Sequence, residues 1–400
     1  MCRNGGGIHI RNLERIVSID IMRGLSILGI FLVNMLSFHT PILYIDPFVT
    51  WTTTSDRLFY SWIDLFIQGS IYPLFSFLFG YGFVILRERT IIKGGRFSTI
   101  AIRRLLFLLM IGWVHANYIW HGDILFTYSL FGILLLLFIR LRAKVLMLLG
   151  LILYFVPNVI ITVMMILASM VAGNGEFTMA DETNALASYN AYQNGTYEEI
   201  REQRFIDWSL VNQPGNLFFM LFSIFPMFLI GGGAAKADWL RRVEDLKRPF
   251  LVAIAITLLT GLFIKSAPYW LSRNWATEYS QDMLGGPLLS IAYILLIALG
   301  TNHQRGLQVF KFFGPVGKLS FTNYLVQSIV STLIFYSYGL GLYGQVSVVE
   351  GTLLALTIFI VQLILSHFWV KYFYLGPFEW VWRTVSYWKW QNLIKKGENS

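Results

Sequence analysis

Three histidines and two aspartates stand where a membrane-embedded reaction centre could be built. His115, His121 and Asp123 lie within GWVHANYIWHGDILFTY, and His39 and Asp64 fall near the ends of two other apolar stretches. An imidazole oriented by a carboxylate works as a general base near neutral pH. That chemistry is expected at His115 or His39, with Asp64 or Asp123 orienting the ring. Asp123 has a second reading, as the N-terminal cap of the helix that follows it. His121, beside Trp120, reads as an interfacial residue. Asp64 is expected to meet the histidines, because a lone carboxylate at membrane depth must be paired or protonated. No His-x-x-x-His or comparable ligand spacing is present, so no metal is expected.

Other polar residues share helix faces. In SIDIMRG, Asp20 and Arg23 are three apart and can pair. Arg23 and Asn34 are eleven apart, which puts them on one face about 16 Å apart along the axis. Ser320, Asn323, Tyr324 and Gln327 recur at three- or four-residue spacing in GPVGKLSFTNYLVQS and form another polar face. Glu379 and Arg383, in GPFEWVWR, are four apart and are expected to pair on an interfacial helix.

These residues are carried by ten long apolar stretches, at about 17–38, 58–86, 102–120, 122–139, 144–171, 216–235, 249–266, 284–300, 319–340 and 347–372. Most reach the roughly 20 residues that span a bilayer. Backbone groups in lipid must be satisfied within the segment, so the expected fold is an all-α polytopic bundle of about ten transmembrane helices. With 56% hydrophobic and 13% charged residues, the chain has no room for a separate soluble domain. Its net charge of +9 does not imply nucleic acid. If each stretch crosses once, 25 of the 31 basic residues fall on one side. That asymmetry places both termini in the cytoplasm. The first stretch is too long for a cleavable signal and is expected to remain as the first helix. Cys2 is the only cysteine, so no intrachain disulfide forms.

Residues 1–16 read as a cytoplasmic segment and 17–372 as the bundle. The acidic connection at 172–215 reads as an outer cap or a solvated loop, with a short helix around Glu198 and Glu202. The segment at 236–248, AKADWLRRVEDLKRP, reads as a cytoplasmic amphipathic helix. The tail at 373–400, rich in Trp and Lys, reads as an interfacial anchor. Pro73, Pro157 and Pro226 are expected to kink their spans.

Four motifs in order, SIDIMRGLSILGIFLVN, RRLLFLLMIGWVHANYIWHGDIL, GKLSFTNYL and GPFEWVWR, resemble the YeiB-type bacterial membrane proteins over nearly the whole chain. The SIDIMRG opening and WIDLFIQGS also resemble heparan-alpha-glucosaminide N-acetyltransferase, in a wider superfamily of transmembrane acyltransferases. The resemblance implies transfer of an acyl group from cytoplasmic acyl-CoA, such as acetyl-CoA, to a small-molecule or glycan acceptor at the outer face. Arg23, Asn34, Arg104 and Asn323 are then the expected donor-binding residues, the guanidinium groups meeting phosphates. Many superfamily members place a histidine eleven positions after the arginine. Here that position is Asn34, so either His39 or His115 is the base or this branch has lost or changed the chemistry. Two other readings stay open: a small-solute transporter or exporter, and a non-catalytic membrane scaffold or sensor. Beyond lipid and acceptor, a homodimer is left open.

Overall fold

The computed structural model describes residues 16–172, 180–271 and 273–395. The segment with Cys2, Arg3, Arg11 and Arg15, the part of the acidic connection with Glu176, and Lys396 lie outside the described residues.

The protein is an all-α polytopic membrane bundle. Eight helical segments among the described residues are long and apolar enough to cross a bilayer. The first is α1 (Val17–His39). The second is interrupted, as α2 (Thr54–Phe66) and α3 (Ile71–Ile92). Next come α4 (Phe97–Tyr118), the short α5 (Leu125–Phe138) and the long α6 (Ala143–Ala172). A helical pair, α7 (Glu182–Asn194) and α8 (Tyr197–Asn212), leads to α9 (Pro214–Ser223) and α10 (Phe225–Lys236). The chain continues through α11 (Lys247–Trp270), α12 (Trp275–Ser280), a π-helical turn at Gln281–Gly285 and α13 (Gly286–Asn302). It closes with α14 (Phe313–Lys318), α15 (Ser320–Phe335), α16 (Val348–Tyr372) and α17 (Pro377–Tyr387). At 1.5 Å per residue, α5 and α15 are only about 21 and 24 Å long, short of a bilayer core of about 30 Å. The fourth and ninth stretches are therefore helices, but shorter than full spans.

Helix α1 is the centre. Its apolar window is 72% buried, against 17% for α6 and 22% for α4 and α11, which present side chains to lipid. Close backbone approach fixes what surrounds it. A Cβ on Gly317 would lie 1.8 Å from the Asp20 carbonyl oxygen, and one on Gly24 would lie 2.2 Å from that of Phe313. The same contact is made reciprocally by α3 and α10, where a Cβ on Gly80 or Gly231 would lie 2.0 Å from the Phe228 or Phe77 carbonyl oxygen. Small residues allow this approach where lipid offers no hydrophobic driving force between helices.

One expectation needs correction, and two others gain detail. Residues 237–246 form successive turns rather than an amphipathic helix. Asp238 at φ 54° stops α10, and Leu240 and Val243 are buried, which pins the segment to the bundle. Of the three prolines, only Pro157 is well inside a helix. Pro73 and Pro226 sit in the first turns of α3 and α10, directly after the breaks that divide their spans, so the expected kinks are there full interruptions. The acidic connection is a docked cap rather than a solvated loop: Tyr192, Ile200, Arg204 and Asp207 are buried.

Gly317→Ala is expected to destabilise the fold by about 1–3 kcal/mol through overpacking against α1, read as a lower unfolding midpoint in detergent. Gly314→Ala, where a Cβ meets nothing within 4 Å, is expected to leave that midpoint unchanged or slightly raised.

Candidate functional site

A cavity of about 530 Å³ opens among α1, α3, α4, α15 and α17. Its volume falls within the usual range for ligand sites, about 300–1,000 Å³. Six cationic side chains line it, Arg23, Arg89, Lys93, Arg104, Lys318 and Arg383, against two carboxylates, Asp20 and Glu379. All four motifs noted in the sequence contribute. The Gly24–Gly317 crossing sets Arg23 beside Lys318. Arg104 lies over the Trp382 ring at 3.5 Å, and Trp382 Nε1 donates to the Arg104 carbonyl at 3.0 Å. Asp20 lies 4.0 Å from Arg23, so the predicted pair forms.

Glu379 does not serve as the expected partner of Arg383. It accepts from the backbone N–H groups of Phe321 and Thr322 at 2.8 and 3.0 Å, and from Thr322 Oγ1. It thereby caps the first turn of α15, whose own N-cap residue, Leu319, has no side-chain oxygen. Burial pushes this carboxyl up from its ordinary value, and those hydrogen bonds oppose the shift.

The cavity lining ends at Tyr128, Ile124, Leu125 and Tyr324. Behind Tyr324, at 5.3 Å between ring centroids, is His115. His115 Nδ1 lies 3.0 Å from Asp123 Oδ1, and both side chains are fully buried. The other carboxylate oxygen, Oδ2, accepts from the Phe126 N–H at 2.7 Å in the first turn of α5. Both readings of Asp123 therefore hold at once: it caps a helix and orients an imidazole. Gly112 makes room, since a Cβ there would lie 2.8 Å from Asp123 Oδ2. With Nδ1 committed to the carboxylate, Nε2 is the free position, and it has no hydrogen-bond partner among the described residues.

The remaining candidates lie elsewhere. Asp64 does not approach the histidines. It accepts from Tyr269 Oη at 2.8 Å and from Gln281 Nε2. The reason is the break in the second span. Gly69, at φ 67°, turns the chain between α2 and α3 against the π-helical turn, and Lys265 Nζ bridges the Gln68 carbonyl and Asp282 Oδ1, each at 3.0 Å. Polar side chains satisfy the backbone groups that two interrupted helices leave exposed. His39 is fully buried against Phe335 and Gly351, with no partner for either ring nitrogen among the described residues, and does not line the cavity. Asn34 accepts from Tyr72 Oη at 2.7 Å, and Asn323 donates to Ser366 Oγ at 3.1 Å. Both hold helices together beside the cavity rather than lining it.

His121 is more than interfacial. It is buried, its Nε2 lies 3.1 Å from Ser37 Oγ, and its Nδ1 lies 3.7 Å from Asp207 Oδ2. Sequence reading missed Tyr128, Lys93, Trp382 and this Ser37–His121–Asp207 set. No spacing could have found the last of these, because its members lie on three elements separated by more than 80 residues.

YxaH of Bacillus subtilis (strain 168) is 36% identical to this chain over 398 residues, covering 96% of the chain and 97% of the relative. The model of a protein family of unknown function, DUF418, matches residues 234–389. The chain belongs to the DUF418 family. YeiB of Escherichia coli (strain K12) is 28% identical over 395 residues, covering 94% and 97%, so the family is YeiB-type as the motifs indicate. The DUF418 match takes in Lys318, Tyr324, Glu379, Trp382 and Arg383, which form one wall of the cavity.

Asp123→Ala is expected to cost about 1–2 kcal/mol through loss of the cap alone, seen as a lower unfolding midpoint. Asp123→Asn keeps an oxygen for the Phe126 N–H and is expected to lose less.

Proposed function

We propose that this DUF418 protein is an acyl-CoA-dependent transmembrane acyltransferase that delivers an acyl group, such as acetyl, to a hydroxyl or amine on a glycan or small molecule at the opposite face. The observation that carries this reading is the course of the cavity, from a ring of cations to the tyrosine packed on the His115–Asp123 pair. The basic bias of the sequence puts the cationic end in the cytoplasm, both termini with it, and the membrane is the bacterial plasma membrane.

The cations suit a phosphate-rich donor. Arg23 is next to the Gly24–Gly317 crossing and Arg104 lies over Trp382, so both are held in place, and guanidinium forks match phosphate oxygens. The apolar stretch from Ile27 to Leu125 suits an uncharged arm carrying the thioester. That arm displaces the Tyr324 ring to bring its carbonyl to His115. The acceptor heteroatom then attacks the carbonyl carbon, and His115 Nε2 takes its proton. The C–S bond breaks, and the thiolate leaves with that proton, restoring neutral His115. Asp123 holds the ring and stabilises the transient imidazolium. Asn34, standing in place of a histidine, has no part in proton transfer and keeps Tyr72 in position.

The test is labelled acetyl-CoA with the purified protein in lipid nanodiscs. Binding is expected to weaken steeply with salt and by about tenfold or more in Arg23→Ala or Arg104→Ala, a loss of about 1.4 kcal/mol. His115→Ala is expected to bind donor as well as the parent but to lose transfer or slow hydrolysis by at least about a hundredfold. Asp64→Asn should leave both unchanged. Folded protein that binds no donor at low salt would end this reading.

One observation favours a second reading. The ion pair of buried Lys265 with half-buried Asp282 meets Asp64 where two interrupted helices cross, an arrangement suited to ion-coupled transport. Proton-coupled solute flux in proteoliposomes that is lost in Lys265→Met and kept in His115→Ala would replace the acyltransferase with a transporter.

A further inference from the structure

A second buried polar set lies at the capped end of the bundle, apart from the cavity and its His115. Ser37 is on the last turn of α1. Helical hydroxyl groups commonly bond back to the carbonyl four residues earlier, and here Ser26, Thr40 and Thr90 do so at 2.6–2.8 Å. Ser37 instead reaches across to His121 Nε2 at 3.1 Å.

Counting hydrogens fixes the tautomer of His121. Tyr192 Oη lies 2.6 Å from Asp207 Oδ2 and 3.4 Å from His121 Nδ1. Its one proton goes to the nearer carboxylate, so toward the imidazole the phenol oxygen can only accept. The proton on the ring is therefore at Nδ1, directed at Tyr192 Oη and at Asp207 Oδ2, 3.7 Å away. Nε2 is left with its lone pair facing the Ser37 hydroxyl. Asp207 is fixed in turn by Tyr44 Oη at 2.7 Å and Gln203 Nε2 at 2.8 Å. Burial pushes His121 below its ordinary value, which keeps it neutral and able to accept a proton. Arg204 is fully buried, and its Nε and Nη2 have no hydrogen-bond partner among the described residues. Its Nη1 donates to the Asn117 carbonyl at 3.2 Å, which fixes it beside this set but outside the cleft. Ser37, Tyr44, His121, Ser188, Asp207 and Tyr343 line a narrow cleft.

We propose that Ser37, His121 and Asp207 form a serine-nucleophile centre that cleaves or transfers short acyl groups of carboxylic esters. Ser37 Oγ forms a bond to the ester carbonyl carbon while His121 Nε2 takes its proton. Collapse breaks the bond to the departing alkoxide, which leaves with that proton as an alcohol. Water or an acceptor alcohol, deprotonated by His121, then attacks the acyl-serine ester and releases Ser37. Asp207 is a positioning residue: it holds the ring and balances the imidazolium. Contacts that lengthen past ideal in the resting enzyme are common for such sets. The cleft leaves no room for even a water molecule between its walls, so an ester enters only as those walls part, and a short acyl group needs the least opening. This centre does not depend on acyl-CoA binding in the cavity.

The test uses the full-length protein in nanodiscs with p-nitrophenyl acetate, followed by mass analysis of the acid-quenched chain. The expected result is a burst of p-nitrophenolate with one acetyl group on Ser37, absent in Ser37→Ala and at least tenfold slower in His121→Gln. Asp207→Asn is expected to slow acylation with its half-saturating ester concentration unchanged. Hexanoate ester should react at least tenfold more slowly than acetate. Folded parent protein without acetyl on Ser37 overturns the proposal. So does acetylation at an equal rate in His121→Gln, which would mean only that the hydroxyl is accessible. Neither result bears on donor binding at Arg23 and Arg104, so this proposal and the acyltransferase reading fail separately.

Discussion

The backbone contact between α1 and α14 is the constraint on which the cavity depends. Gly24 and Gly317 let the two helices touch without side chains between them. Arg23 is thereby turned into space that α3, α4 and α17 complete, rather than into a packed interface. Once α14 is held there, the chain must turn at Leu319 to begin α15, which leaves backbone N–H groups in need of an acceptor. Glu379 arrives from α17 to fill that need. The same helix brings Trp382 onto Arg104. One crossing of small residues therefore sets the floor, one wall and the entrance of the cavity.

Two kinds of buried polar cluster result, and burial alone does not separate them. Around Asp64 the hydrogen bonds close on themselves: Tyr269, Gln281, Lys265, Asp282 and the Gln68 carbonyl satisfy one another where two helices are interrupted. Removing one partner there would strand another in a low-dielectric setting. Around His115 the account stays open, since Nε2 is left without a bond among the described residues. An unsatisfied polar atom in a bilayer is costly; His39 carries two of them among packed helices, whereas the His115 ring lies directly behind Tyr324, a wall of the cavity.

Sequence reading located the helices well, because length and hydropathy govern insertion and each apolar stretch had only one way to satisfy its backbone. Of the residues it singled out, Arg23 and Arg104 line the cavity and His115 and Asp123 pair behind it; charged or titratable residues inside apolar runs are conspicuous. It misplaced Asp64 because the break at Gly69 rotates α2 relative to α3, which helical periodicity cannot anticipate. Glu379 was assigned to Arg383 by local spacing, and a long-range cap prevailed. His39 and Asn34 are at plausible depths, yet the face they occupy is turned to packed helices. Depth is legible in a linear chain; azimuth requires the neighbours. His121 was underrated for a related reason: Ser37 and Asp207 lie on other elements, and nothing local marks them.

Trp120 lies between the two polar chambers. It is almost fully enclosed, stacks on Phe38 at 4.2 Å, and stands 6.4 Å from the His115 ring and 5.4 Å from that of His121. Indole and phenyl faces offer water no continuous chain of partners, so this pair is a partition. Anything that passes from the capped end of the bundle to His115 has to turn this indole aside.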